Sequence, residues 1–237
     1  MTRPSPIIQA DDFADLDTAE RLAFIGREFA GKVVATTSFG AQSAVLLHLL
    51  ATHAPEIPII CVDTGYMFAE TYVYAEELQR QLGISVRFFA SPVSPARMEA
   101  IHGRLWQMGQ DGLKQYGMLR KIEPLDRALK AHHAEAWISG VRRSHSDERS
   151  RKPFIEQQKR TTKIYPILDW TDEMVAAYIQ THALPPHPLV ARGFVSIGDW
   201  HSTRKLEPGM KSEDTRHGGI QRECGLHLDS STSDFQI

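Results

Sequence analysis

A cysteine lies thirteen residues from the end of the chain, in Arg222-Glu223-Cys224-Gly225-Leu226-His227. The thiolate is the nucleophilic form of cysteine, and exposure with nearby positive charge favours it. Cys224 sits in a polar, glycine-flanked tail with Arg222 and His227 beside it, while Glu223 opposes the thiolate. The other cysteine, Cys61, sits in Ile57-Pro58-Ile59-Ile60-Cys61-Val62, an apolar run that reads as a buried strand with an inert core thiol. A lone thiol in a polar tail is often incidental, so the reading of Cys224 depends on what the rest of the chain offers it.

Two stretches offer anion binding. Thr36-Thr37-Ser38-Phe39-Gly40-Ala41-Gln42-Ser43 joins a β-branched strand to a helix. Small residues there let backbone approach a ligand, the helix start presents N–H groups and a positive dipole end, and the Ser38 and Ser43 hydroxyls add donors. It lacks the lysine of a Walker A loop, and many strand-to-helix turns look like it. The second stretch, residues 141–163, holds Arg142, Arg143, Arg149, Arg151, Lys152, Lys159, Arg160 and Lys163 against Asp147, Glu148 and Glu156, a net +5 in a chain that totals -2. Arginine forks match phosphate and sulfate oxygens. A solvated basic loop or an RNA patch is the competing reading, and the position after a predicted strand favours a small anion. In a third stretch, Gly198-Asp199-Trp200-His201-Ser202-Thr203-Arg204-Lys205, Asp199 and His201 lack a third partner for a metal, so it reads as a structural or substrate-binding turn.

The elements that must position these groups alternate. Helical spacing covers 18–30, with Leu22, Ile25 and Phe29 on one face. A strand over 32–37, a helix over 41–53, a strand over 57–62, a helix over 67–82 closed by Gly83 and a strand over 84–90 follow. A helix over 122–133, a short strand over 136–139 and a helix N-capped by Thr171 and running to about His182 complete the pattern. Alternation of this kind predicts an α/β fold, a mostly parallel sheet covered on both faces. Ligands of such sheets bind outside the carboxyl ends of the strands, which here means the loops at 38–43, 63–65 and 141–163. Residues 1–207 read as one α/β nucleotide-binding domain. From Pro208 onward no strong period remains, and 208–237 reads as an arm, made mobile by its glycines, that carries Cys224.

Bulk properties narrow the class. The chain has 237 residues, 42% hydrophobic and 24% charged, long enough for a full core. The net charge of -2 gives no global basic field for nucleic acid. No apolar run approaches the ~20 residues that span a bilayer, and no secretory signal is seen at the start. Two cysteines in such different settings make no disulfide framework, so a reducing cytoplasm is the expected location. The residues thus predict a phosphate or sulfate pocket on an α/β sheet, with a thiol brought to the ligand for nucleophilic attack.

Arg222-Glu223-Cys224-Gly225-Leu226-His227 resembles the C-terminal signature of the phosphoadenylyl-sulfate (PAPS) reductases. Further blocks resemble that family in the same order: Ser38-Phe39-Gly40-Ala41-Gln42-Ser43, the stretch from Val62-Asp63-Thr64-Gly65 to Tyr72, Lys121-Ile122-Glu123-Pro124-Leu125, Gly140-Val141-Arg142-Arg143 and Thr203-Arg204-Lys205-Leu206-Glu207-Pro208-Gly209. The resemblance implies an adenine-nucleotide α-hydrolase-like fold, attack of Cys224 on the sulfur of the sulfonucleotide, and release of sulfite by reduced thioredoxin or glutaredoxin. It places Ser38, Gly40, Ser43, Asp63, Thr64, Lys121, Arg142, Arg143, Arg149, Arg204, Arg222 and His227 at the substrate, and a homodimer is the family expectation. The related adenylyl-sulfate (APS) reductases hold a four-iron cluster on four cysteines. Tyr116, Gly117, Asp199 and Ser202 stand at those places here, so no bound cofactor is expected and PAPS is favoured over APS. Phe39 and Gln42 replace a glycine and an aspartate of the ATP-cleaving relatives' loop, which speaks against an adenylyltransferase or thiolation enzyme. A non-catalytic nucleotide-binding module is the remaining alternative.

Overall fold

The structure is a computed structural model that describes residues 10–145 and 149–216. Its centre is a six-stranded sheet in the order β3-β2-β1-β4-β6-β5. β1 (Val33–Thr37), β2 (Ile59–Asp63), β3 (Val86–Ala90), β4 (Ala136–Ile138) and β6 (Thr162–Ile164) are parallel, and β5 (Ile155–Gln157) closes the edge antiparallel to β6. Alternation along the strands sorts side chains between two cores. Val33 and Ala35 of β1, Ile59 and Cys61 of β2, and Ala136 and Ile138 of β4 join the larger cluster, with residues of α2 (Thr18–Glu28), α3 (Ser43–His53), α4 (Ala69–Leu82) and α8 (Asp172–Thr181). Val34, Ile60 and Trp137 face the other way, against Leu125, Ala128 and Leu129 of α7 (Glu123–Ala131). This is a sheet between helical layers, as the alternating sequence pattern predicts. Cys61 is wholly buried, and burial pushes its thiol pKa far up.

Local chemistry sets the element ends. Asp17 and Glu20 form a reciprocal capping box at α2, and Gly83 closes α4 in the left-handed conformation, φ 64°. A short helix α1 (Ala10–Asp15) packs at the edge of the larger core through Phe13. Buried Arg21 ties that edge together, reaching Pro166 O and both carboxylate oxygens of Asp169.

Two regions differ from the sequence reading. Residues 141–163 are not one loop: they contain β5 and run into β6. Lys163 lies buried with its ammonium 4.3 Å from the centre of the Trp137 ring, so it belongs to the sheet rather than to a ligand loop. The helix expected over 122–133 is the last part of a longer path, preceded by α5 (Pro95–His102), α6 (Gly109–Gly117) and a π-helical turn, Met118–Ile122, that runs directly into α7.

The chain leaves β1 outward through β2 and β3, then returns to β4 on the opposite side of β1. The switch in direction falls between β1 and β4, and open α/β sheets hold their ligands outside the carboxyl ends of the strands at such a point. Residues 208–216 fold back on the turn before them: Arg204 N–H donates to Thr215 O at 3.0 Å, and Thr215 is wholly buried.

Candidate active site

The β1–α3 loop is shaped by its backbone. Phe39 adopts φ 48°, rare for a residue with a Cβ, and its N–H donates to Thr37 Oγ1 at 3.1 Å. Its buried ring stacks on Phe88 of β3 at 5.9 Å, which offsets the strain of the turn. Next in sequence, an ideal Cβ on Gly40 would lie at ordinary contact distance from Ile197 O, 3.4 Å, and from the Ser38 and Ser43 hydroxyls, 3.6 and 3.9 Å, so both hydroxyls flank this glycine. Ser38, Gly40 and Ser43 are thus brought together around the start of α3. That helix carries no side-chain N-cap bond, which leaves its first turn suited to an anion.

The second loop follows β2. Asp63 Oδ1 accepts from Gly65 N at 2.7 Å and from the Tyr72 hydroxyl at 2.7 Å, so this carboxylate holds the turn. Thr64 is buried and donates to Asp199 Oδ1 at 2.5 Å. Asp199 Oδ2 accepts from the Tyr116 hydroxyl at 2.9 Å and lies 3.2 Å from Lys121 Nζ. Both Lys121 and Asp199 are buried. Burial alone would raise the Asp199 pKa, but the Lys121 charge and the Thr64 and Tyr116 donors outweigh it and hold the carboxyl well below the usual range. Lys121 sits on the π-helical turn, whose extra residue per turn sets Arg120 and Lys121 inward together, both buried. Arg120 donates to Val93 O at 2.6 Å, with its guanidinium carbon 5.4 Å from the Tyr66 ring centre.

Ser202 N–H and hydroxyl both donate to Asp199 O, at 3.0 and 3.2 Å. Asp199 therefore links three of the four positions at which the cluster-bearing relatives carry cysteines. A phenol, a glycine, a carboxylate and a hydroxyl, several already bonded to one another, do not fit a thiolate-held iron–sulfur cluster.

Beside this network His201 stacks on Trp106, ring centres 4.1 Å apart, with Tyr66, Tyr116 and Trp200 around it. Neither ring nitrogen has a hydrogen-bond partner among the described residues. Burial pushes the imidazole down to about 4; Lys121 and Arg216 assist, while Asp199 and Glu99 oppose. A histidine whose folded pKa lies below its unfolded value of about 6.5 contributes stability that is present above that value and lost as pH falls toward 4. We expect His201→Phe, which keeps the stack, to lose less stability than the wild type between pH 7 and pH 5 in urea denaturation. Equal losses would contradict the neutral, buried ring.

The basic residues divide. Arg142 is 1% exposed, and its guanidinium donates to Ser144 Oγ at 2.9 Å, Trp170 O at 3.1 Å, Asp172 Oδ1 at 2.6 Å and Gln42 Oε1. Arg143 donates to Lys152 O at 3.0 Å and lies over the Phe154 ring. Half-buried Arg149 follows the undescribed residues 146–148. Arg204 is exposed, its Nε donating to Asp214 O at 3.0 Å in the folded-back turn. Cys224, Arg222 and His227 lie outside the described residues. Sequence reasoning gave no role to Tyr116, Arg120 or Tyr66. Their signal was faint: Tyr116 and Arg120 fall in a region with no assigned element, and Tyr66 lies between the 63–65 loop and the helix expected over 67–82.

The sheet order, with helices on both faces, defines an α/β fold of the adenine-nucleotide α-hydrolase-like type. A likeness of fold to FMN adenylyltransferase of Candida glabrata, solved with FAD and inorganic pyrophosphate, agrees: TM-score 0.60 at 12% identity, covering 86% of this chain and 76% of that one. Within that class, residues 32–205 match the phosphoadenosine phosphosulfate reductase domain, and the chain belongs to that family. It is 46% identical over 236 residues to phosphoadenosine 5'-phosphosulfate reductase of Xanthomonas campestris pv. campestris, covering 95% of this chain and 98% of that protein. The relative of the same name from Xylella fastidiosa is 50% identical over 192 residues, 81% of each chain. The crystal structure of phosphoadenylyl-sulfate reductase from Candida auris, a phosphate complex, aligns with TM-score 0.71 at 30% identity, covering 82% of this chain and 94% of that one.

Proposed function

We propose that this chain reduces 3′-phosphoadenylyl sulfate to sulfite and adenosine 3′,5′-bisphosphate, as an oxidoreductase of assimilatory sulfate reduction. The observation that carries the reading is the Arg222–His227 block around Cys224, present intact beside a family match over residues 32–205. The Cys224 thiolate attacks the sulfonate sulfur, a sulfur–sulfur bond forms, and the bond from sulfur to the bridging phosphate oxygen breaks. The bisphosphate leaves with that oxygen, and the chain holds a cysteine S-sulfonate. A thiolate of reduced thioredoxin then attacks Cys224 sulfur and expels sulfite. The second thioredoxin thiol resolves the mixed disulfide, so the dithiol supplies both electrons.

The proposed substrate groups fall into three sets. Ser38, Gly40 and Ser43 receive a phosphate at the start of α3. Lys121, paired with Asp199, meets the sulfonate end, with Asp63 and with Thr64, which donates to the same carboxylate, on the adjoining loop. Arg143, Arg149 and Arg204 supply positive charge at the rim, and Arg222 and His227 arrive with Cys224. No bound cofactor takes part in this scheme. The donor set at Tyr116, Gly117, Asp199 and Ser202 supports that, and with it PAPS over APS. Among the described residues no helix is long and apolar enough to cross a membrane. A cytoplasmic location and a homodimer complete the proposal.

Sulfite release with reduced thioredoxin tests the reading. We expect sulfite from PAPS in large excess over APS, with glutaredoxin as a weaker or equal donor. Nucleotide binding with no sulfite from any dithiol would overturn catalysis, and ATP turnover would overturn the reaction class.

A further inference from the structure

We infer that Arg142 is a positioning residue: it ties the start of α3 to the start of α8 through Gln42 and Asp172, and so holds the anion loop in shape without touching the ligand. The inference rests on the sulfonucleotide reading for the identity of that ligand, but not for the clamp itself.

Arginine carries four N–H bonds on its two terminal nitrogens. In Arg142 each of those nitrogens donates to two acceptors. Nη1 donates to Ser144 Oγ at 2.9 Å and to Trp170 O at 3.1 Å. Nη2 donates to Asp172 Oδ1 at 2.6 Å and to Gln42 Oε1. The side chain is 1% exposed. A fork so committed has no bidentate face to offer a phosphate or sulfate.

What it grips matters for the site. Gln42 is the N-cap residue of α3 but its side chain makes no capping bond there, and its amide oxygen accepts from Arg142. The residues just before it, Ser38 to Ala41, form the proposed anion loop; just after it Ser43 N–H donates to Gly40 O at 3.1 Å and Val45 N–H to Gln42 O at 3.2 Å, with the Ser38 and Ser43 hydroxyls beside them as donors for a phosphate. Fixing Gln42 therefore fixes the aim of those donors. At the other end Asp172 is the first residue of α8, itself capped by Thr171, whose hydroxyl accepts from Met174 N at 3.2 Å. A carboxylate at a helix start is favoured there by the dipole, and Asp172, with its side chain 65% exposed, meets the buried Arg142 at 2.6 Å. Trp170 O and Ser144 fix the guanidinium plane from the adjoining segments. This also accounts for glutamine where the ATP-cleaving relatives carry aspartate. The amide oxygen accepts from Arg142 and adds no negative charge beside the bound anion.

The test compares Asp172→Asn, Arg142→Lys, Gln42→Ala and Asp172→Glu in the full chain. Two readouts are taken: hydrogen exchange of the amides at 41–46, and affinity for adenosine 3′,5′-bisphosphate by calorimetry. Thermal unfolding confirms that each variant is folded. Positioning predicts that Asp172→Asn speeds exchange at 41–46 and weakens the bisphosphate, each about tenfold, as expected for one charge-assisted bond. Arg142→Lys does the same, and Asp172→Glu recovers both. Combining Gln42→Ala with Asp172→Asn costs less than the product of the single effects, because both act through one guanidinium. If Arg142 were itself the ligand, Asp172→Asn would free its fork and leave affinity unchanged or improved, while Arg142→Lys would weaken it. That pattern overturns the inference, as does faster exchange with unaltered affinity. Wild-type protein that binds no bisphosphate contradicts the sulfonucleotide reading instead, and the exchange data still judge the clamp.

Discussion

Replacing Cys224 by serine lowers sulfite release by at least about 10³-fold, the scale of loss when a covalent nucleophile is removed. Binding of adenosine 3′,5′-bisphosphate stays within about twofold, because the loops proposed to hold it lie elsewhere in the chain. The two results belong together. Cys61, the chain's other thiol, cannot substitute, since it is wholly buried among the residues of the larger core and burial keeps it protonated. The check is a coupled sulfite assay beside calorimetry. Retention of substantial sulfite production by Cys224→Ser would remove the thiol mechanism while leaving the nucleotide site in place.

Replacing Asp199 by asparagine destabilises the protein by about 3 kcal/mol, because the buried Lys121 charge loses its carboxylate. Neighbouring donors do not compensate: Thr64 and Tyr116 already point at this side chain. The pH dependence gives the effect a signature. The folded carboxyl titrates below its unfolded value of about 3.9, so Asp199 stabilises fully above pH ~4 and loses that contribution as pH falls. The gap between wild type and Asp199→Asn therefore closes below pH ~4 in urea denaturation, and a gap constant from pH 7 to pH 3 would contradict the ion pair. Turnover falls by about 10²-fold, the scale expected when a positioned group is displaced by an ångström. Adding Lys121→Met to Asp199→Asn restores most of the stability, since an apolar pair replaces an ionic one, but restores none of the activity. That split separates what the pair does for the fold from the ligand role proposed for Lys121.

Much of this arrangement was legible from residue types. β1, α3, β2, α4, β3, β4 and α8 carry period and cap signals strong enough to place them within about two residues. The loops named from them, at 38–43 and 63–65, follow β1 and β2 as expected. The misses have physical causes. β5 and β6 are three residues each, and Glu156 and Lys163 interrupt their apolar character; only the sheet edge and the Trp137 face make them strands. Counting the charges of 141–163 as one basic loop overstated the field, because Arg142 and Lys163 are buried and bonded within the protein. Asp199 was read as a turn residue, since a carboxylate shows its worth only when Lys121, Tyr116 and Thr64, far apart in sequence, meet it. The π-helical turn left no sequence signal beyond the Arg120-Lys121 pair it carries.

Intact-mass spectrometry after incubation with PAPS, then with APS, before and after reduced thioredoxin, tests the central claim most directly. The account predicts a gain of one SO3 that maps to Cys224 with PAPS and disappears on addition of thioredoxin as sulfite is released. The same gain with APS alone would keep the chemistry and overturn the substrate. Absence of the adduct with either nucleotide, while binding is confirmed, would contradict the cysteine S-sulfonate and the mechanism built on it.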